Sequence, residues 1–137
     1  MMRGVLLLAV AGLLASCGDD GVAPSPFAGR WQGHGRTLKV TNARRAREQI
    51  NSNCCRVALR LEFRISQRRG TTEAATARAT VTRVRVTDRQ WFTKAHPAPR
   101  VGQAATIRLG DDGNVYEGLT GVYYCRSSTW RYRLCGA

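Results

Sequence analysis

Two histidines, His34 and His96, are the only side chains here whose ordinary pKa suits proton transfer near neutral pH. A hydrolase would need one of them bonded to a nucleophile and oriented by a third group. His34 sits between Gly33 and Gly35, His96 precedes Pro97, and neither falls in a Gly-x-Ser-x-Gly or Cys-His context. Carboxylates are equally thin. Asp111 and Asp112 lie in an Asp-Asp-Gly-Asn run with turn chemistry, lacking the spacing and terminal glutamate of a calcium loop. Glu48, Glu62, Glu73, Asp88 and Glu117 are scattered. Gly33-His34-Gly35 does not continue as a phosphate-binding loop. The sequence therefore assigns no catalytic residue, cofactor or metal. A hydrolase using His34 or His96, with an Asp or Tyr brought near by folding, stands as an alternative to a non-enzymatic role.

Thiols are the other reactive groups. Of five cysteines, Cys17 stands apart, and Cys54, Cys55, Cys125 and Cys135 remain, an even number that suits a disulfide framework in a small exported domain. Neighbouring Cα atoms lie about 3.8 Å apart, below the usual span of a bridge, which disfavours a Cys54–Cys55 bond. If all four are oxidised within one chain, Cys54 and Cys55 must each reach one of Cys125 and Cys135, and two connectivities remain. Either would close loops of roughly 70–80 residues, stabilising by on the order of 4 kcal/mol. The second scheme is a single Cys125–Cys135 bridge with Cys54 and Cys55 free. An adjacent pair with a distant Cys-x9-Cys is not a zinc spacing.

Arg3 precedes an apolar run, Val5 to Ala15, which has the order and length of an export signal. It is too short for a membrane-spanning helix, which needs about 20 residues. At its end, Leu14-Ala15-Ser16-Cys17 resembles the lipobox of bacterial lipoproteins. The resemblance implies cleavage after Ser16, a diacylglycerol on the Cys17 thiol and fatty acyl chains such as palmitate. Those chains would hold the protein to the extracytoplasmic face of a cell membrane. The alternative is an ordinary secreted protein. Residues 1–16 would then be signal peptide and residues 17–26 a lipidated tether, small, acidic and proline-containing, of a composition that stays solvated. Residues 27–137 would be a single domain, a normal domain size.

That domain reads as all-β. Val57 to Ile65 alternates without fault, with Val57, Leu59, Leu61, Phe63 and Ile65 on one side, and residues 67–71 form a turn. Ala74 to Asp88 carries Ala75, Ala77, Ala79 and Val81 on one parity and Val84 and Val86 on the other, so a bulge near Thr82 is expected. Arg30 to Thr41 reads as one bent strand broken at its glycines. Residues 42–51 suit a helix by propensity but carry no apolar stripe, so a loop leading into a short strand up to Cys55 is equally open. Residues 90–99, with Pro97 and Pro99, form a loop whose Trp91 and Phe92 pack over a barrel mouth. Residues 104–109 are a strand, Asp111 to Asn114 a tight turn, Val115 to Leu119 a strand, and Val122–Cys125 and Trp130–Cys135 supply the last one or two. The expected fold is a small antiparallel barrel or sandwich of six to eight strands, disulfide-stapled.

The Gly29-Arg30-Trp31 entry resembles the Gly-x-Trp start of lipocalin-like barrels, which implies an interior able to hold a ligand. Trp31, Phe63, Trp91 and Tyr124 are the candidate lining residues, with Phe92, Tyr123 and Trp130 beside them. From Trp31 onward, the order of features (the CC pair, TATARATVTRV, the YC and the closing CGA) resembles small lipoproteins and secreted proteins of high-GC Gram-positive bacteria, a resemblance that implies location and fold but no activity. Some bacterial proteinase inhibitors are similar small disulfide-bonded barrels with a Trp near the first strand, and this analogy of fold makes a secreted or anchored proteinase inhibitor an alternative function.

The whole chain carries a net charge of +13, and residues 17–137 hold 21 Lys plus Arg against 9 Asp plus Glu. Inside a cell this would suggest nucleic acid. Outside it, no nucleic-acid partner is expected, and the polyanions at hand are anionic lipid and wall polymers. Because Arg56, Arg60, Arg64, Arg78, Arg83 and Arg85 are spread singly along strands, a merely solvated sheet face explains them too. The overall expectation is a lipid-anchored binding or structural module of the cell envelope. Its contact is a lipid or wall polyanion, a protein or a small ligand.

Overall fold

The computed structural model describes residues 25–41, 44–126 and 135. Eight strands close into one antiparallel barrel, each paired with the next in sequence and the last with the first: β1 (Gly29–Gly33), β2 (Arg36–Val40), β3 (Arg45–Asn51), β4 (Val57–Gly70), β5 (Ala75–Val86), β6 (Ala104–Leu109), β7 (Val115–Glu117) and β8 (Val122–Arg126). Such a meander places alternate connections at opposite ends. The β1–β2, β3–β4, β5–β6 and β7–β8 connections lie at one, the near end, and the β2–β3, β4–β5 and β6–β7 connections at the other, the far end. Closure removes every free sheet edge.

Alternation sends one parity of each strand into a packed interior. Trp31, Leu38, Ile50, Leu59, Leu61, Phe63, Val81, Ile107, Val115 and Tyr124 are all buried, and Phe27 joins the same core before β1. Eight strands leave an interior that side chains fill. The parity change in β5 is a bulge: Glu62 faces Arg83 and Phe63 faces Val81, so Thr82 is the extra residue, and its hydroxyl donates to the Glu62 carbonyl at 3.1 Å.

Three expectations are corrected. Arg30 to Thr41 is a hairpin rather than one bent strand, since Gly33 pairs with Arg36 around His34-Gly35, with Gly35 at φ 62°. The helix reading of residues 42–51 is overturned and the short strand holds, but it is β3, running from Arg45 to Asn51 rather than up to Cys55, and it buries Ala46, Glu48 and Ile50 between β2 and β4. The turn expected at residues 67–71 begins later, because β4 runs to Gly70 through an irregularity between Ser66 and Arg69, with Gln67 at φ 50°.

The favoured disulfide scheme is also corrected. Cys125 is bridged to Cys135 with Cα atoms 5.8 Å apart, and Cys54 and Cys55 are exposed and free. Cys54 and Cys55 lie exposed in the β3–β4 connection, whereas Cys125 is buried on β8, which neighbours β7 and β1 rather than β3 or β4. The Leu14–Cys17 motif, most of the tether, and residues 130–134, Trp130 among them, lie outside the described residues.

Candidate functional site

Of the four candidate lining residues, three are core. Trp31 and Tyr124 are fully buried and Phe63 is nearly so. Trp31 is fixed on both sides: its indole Nε1 donates to the Phe27 carbonyl at 2.8 Å, and the Arg126 guanidinium stacks 4.4 Å from its ring centroid, a cation–π contact. Trp91 alone is exposed. It ends a 3₁₀ turn (Arg89–Trp91) in the β5–β6 connection, packed edge-on against half-buried Phe92. His34 and His96 are both exposed in near-end connections.

The interior contains a polar cluster that strand patterning did not reveal. Glu48 of β3 and Glu117 of β7 occupy inward positions and are almost fully buried. Glu117 accepts from the backbone N–H groups of Leu119 and Thr120 at 2.6 and 3.0 Å, so its carboxylate organises the β7–β8 turn. The Thr120 hydroxyl lies between the two acids, 2.5 Å from Glu117 Oε2 and 3.3 Å from Glu48 Oε1. Tyr124 donates its phenolic proton to Glu48 Oε1. Burial, reinforced by the nearby Glu117, pushes the Glu48 carboxyl from 4.5 up to about 8. Burial and the Glu48 charge hold the Tyr124 phenol well above 10. The Arg36 guanidinium works against both shifts and lies beneath the Trp91 ring, 6.0 Å from its centroid. Glu48 Oε2 and Arg36 Nη1 are buried without a hydrogen-bond partner among the described residues. This arrangement can hold a proton at neutral pH inside the barrel. Both acids are walled in by their own strands, so the cluster reads as an internal staple between β3 and β7–β8.

The outer wall is more open. On β1 to β5 the register aligns Arg30 opposite Lys39, Lys39 opposite Arg47, Arg47 opposite Glu62 and Glu62 opposite Arg83. In neighbouring rows Arg45 faces Arg64 and Arg60 faces Arg85. Like charges directly opposite one another on a sheet are destabilising. Glu62 is the single carboxylate of its row, 3.6 Å from Arg47. Arg30, Lys39, Arg47 and Arg60, with Glu62, Thr37 and Gln49, border a groove of about 450 Å³ in which the cations outnumber the one surface carboxylate. Arg60 is steadied there by a 3.3 Å bond to Gln49 Oε1. Such a face offers several cations and side-chain hydrogen-bond groups to one anionic partner. The sequence showed the number of these arginines but not their alignment, which depends on strand register.

No protein-family model matches this chain, and neither a curated protein nor a solved structure matches it.

Proposed function

We propose that this chain is a lipid-anchored module of the cell envelope, tethered through Cys17 on the extracytoplasmic face, whose basic wall on β1–β5 docks onto a phosphate-bearing polyanion, either anionic lipid headgroups or a wall polymer. The role is binding rather than catalysis. One observation carries the docking part: Arg30, Lys39 and Arg47 stand directly opposite one another on three neighbouring strands. Folding alone gains nothing from that alignment, whereas a polyanion offsets the repulsion and gains several charge-assisted contacts at once. The anchoring part rests on the lipobox resemblance, and a short tether after Cys17 would keep the basic wall close to the membrane surface.

The test is flotation of the full chain carrying Cys17→Ser with phosphatidylglycerol or phosphatidylcholine vesicles, beside the same chain bearing Arg30→Gln, Lys39→Gln and Arg60→Gln. Retention on the anionic vesicles alone, lost in the triple variant, is expected. Equal weak binding to both vesicles contradicts the docking role. Fractionation of cells tests the anchor separately, with wild type expected in membranes and Cys17→Ser released from them.

A further inference from the structure

The β3–β4 connection at the near end presents two thiols side by side. Its residues, Ser52-Asn53-Cys54-Cys55-Arg56, form a short loop closed at the base by the Ser52 N–H, which donates to the Arg56 carbonyl at 2.8 Å. The loop is also held from within. Asn53 Oδ1 accepts from the backbone N–H groups of Cys55 at 3.2 Å and Arg56 at 2.9 Å. The Arg56 guanidinium lies 3.5 Å from Asp88, whose carboxylate caps the 3₁₀ turn of the β5–β6 connection, so the loop is tied to its neighbour. Cys54 and Cys55 stand at the tip, free and exposed. A hydrogen bond joins their thiols and pushes the Cys54 pKa up from its ordinary value.

We propose that this pair is a chelation site for trivalent arsenic or antimony. Bridging the two cysteines to each other is disfavoured, because neighbouring Cα atoms lie only about 3.8 Å apart. The pair therefore stays a dithiol while Cys125 and Cys135 are bridged. Sulfur donors select a soft, thiophilic ion over magnesium, calcium or manganese, which take oxygen. Among the described residues, no further histidine, cysteine or carboxylate joins the two thiols in a group that could hold a metal, whereas structural zinc takes four ligands. The occupant must then be satisfied by two protein sulfurs. Monovalent copper and silver hold two sulfurs on opposite sides of the ion, a span that hydrogen-bonded thiols on adjacent residues do not offer. A trivalent arsenical holds its sulfurs on one side, nearly at a right angle, and keeps its third bond for a substituent. The step is an exchange without oxidation: two As–O bonds of the hydrated arsenical break, two As–S bonds form, and each thiol proton leaves with a hydroxyl as water. This site is separate from the β1–β5 wall and stands whether or not that wall docks a polyanion.

The experiment is titration of the full chain carrying Cys17→Ser with phenylarsine oxide, counting free thiols with a chromogenic disulfide and weighing the product by intact mass spectrometry. One equivalent is expected to remove both thiols together and to add a single phenylarsenic group. Excess glutathione, a monothiol, should leave that group bound, while ethanedithiol should strip it. Cys54→Ser and Cys55→Ser should each hold the arsenical roughly a hundredfold more weakly, since the second sulfur no longer acts from the same loop. Silver ion should gain less from the intact pair, relative to those single variants, than the arsenical does. Uptake of two equivalents, one on each thiol, overturns the inference. So do single variants that bind as tightly as the pair, a larger gain for silver, or a chain whose Cys54 and Cys55 are already bridged to each other before titration. Both positions are exposed, so each serine variant keeps the fold.

Discussion

Tyr124 of β8 donates its hydroxyl proton to Glu48 of β3 across the barrel interior, joining two strands that are not neighbours in the sheet. The pair sits where an apolar side chain would ordinarily be, and its cost depends on the protonation state of Glu48.

Folded Glu48 titrates at about 8, pushed up by burial first and by Glu117 second, against 4.5 when unfolded. Below pH 4.5 both states hold the proton and nothing is lost. Between 4.5 and 8 the unfolded chain releases it while the folded chain retains it, so stability falls as pH rises, by up to roughly 5 kcal/mol from this one group. Above 8 the loss is complete. Glu48→Gln, which keeps an acceptor for Tyr124, should flatten this slope and raise stability at pH 8. Urea denaturation at pH 5, 6.5 and 8 measures it. An unchanged slope in the variant excludes Glu48 as its source.

Cysteine chemistry should divide two and two. The chain carrying Cys17→Ser should give two alkylated thiols, Cys54 and Cys55, and one bridge resistant to alkylation, Cys125–Cys135. Peptide mapping after iodoacetamide treatment shows this. A peptide joining Cys54 or Cys55 to Cys125 or Cys135 would restore the scheme that sequence alone favoured.

Gly70 should tolerate no side chain. Its φ is 102°, and a Cβ there would lie 2.3 Å from the Ala74 carbonyl oxygen, closer than any side chain is found to a backbone atom. Gly70→Ala is expected to cost about 1–3 kcal/mol, lowering the melting temperature by about 4 °C or more in a domain of this size. Thermal unfolding followed by circular dichroism is the measurement, and an unchanged midpoint contradicts the tight β4–β5 turn.

Much of the fold was legible because strand residues announce their burial. The faultless alternation of Val57 to Ile65, the parity change at Thr82 and the Gly113 turn each record a local backbone fact, and each appears in the structure. The β1–β2 hairpin was not, since Gly33-His34-Gly35 reads equally well as a kink within one strand. Strand β3 was obscured by its own polar member: with Glu48 between Ala46 and Ile50, the inward parity no longer looks apolar. Glu48 and Glu117, 69 positions apart, meet only because barrel closure brings β8 back beside β1. A far-end groove on the outer wall was hidden for the same reason, as register alone lines up Arg69, Arg108, Tyr116 and Tyr123. Cys125 and Cys135 were correctly marked, but the assumption that all four thiols are oxidised led to the wrong partners.

The salt dependence of vesicle binding tests the docking role most directly. With phosphatidylglycerol vesicles, the retention of the Cys17→Ser chain should fall steeply as sodium chloride rises from about 0.05 to 0.5 M, across which the screening length shrinks from roughly 14 to 4 Å. The Arg30→Gln, Lys39→Gln, Arg60→Gln variant should show a much shallower fall from a weaker start, while being at least as resistant to heat at low salt. Retention that ignores salt, or a triple variant that binds as wild type does, contradicts the account.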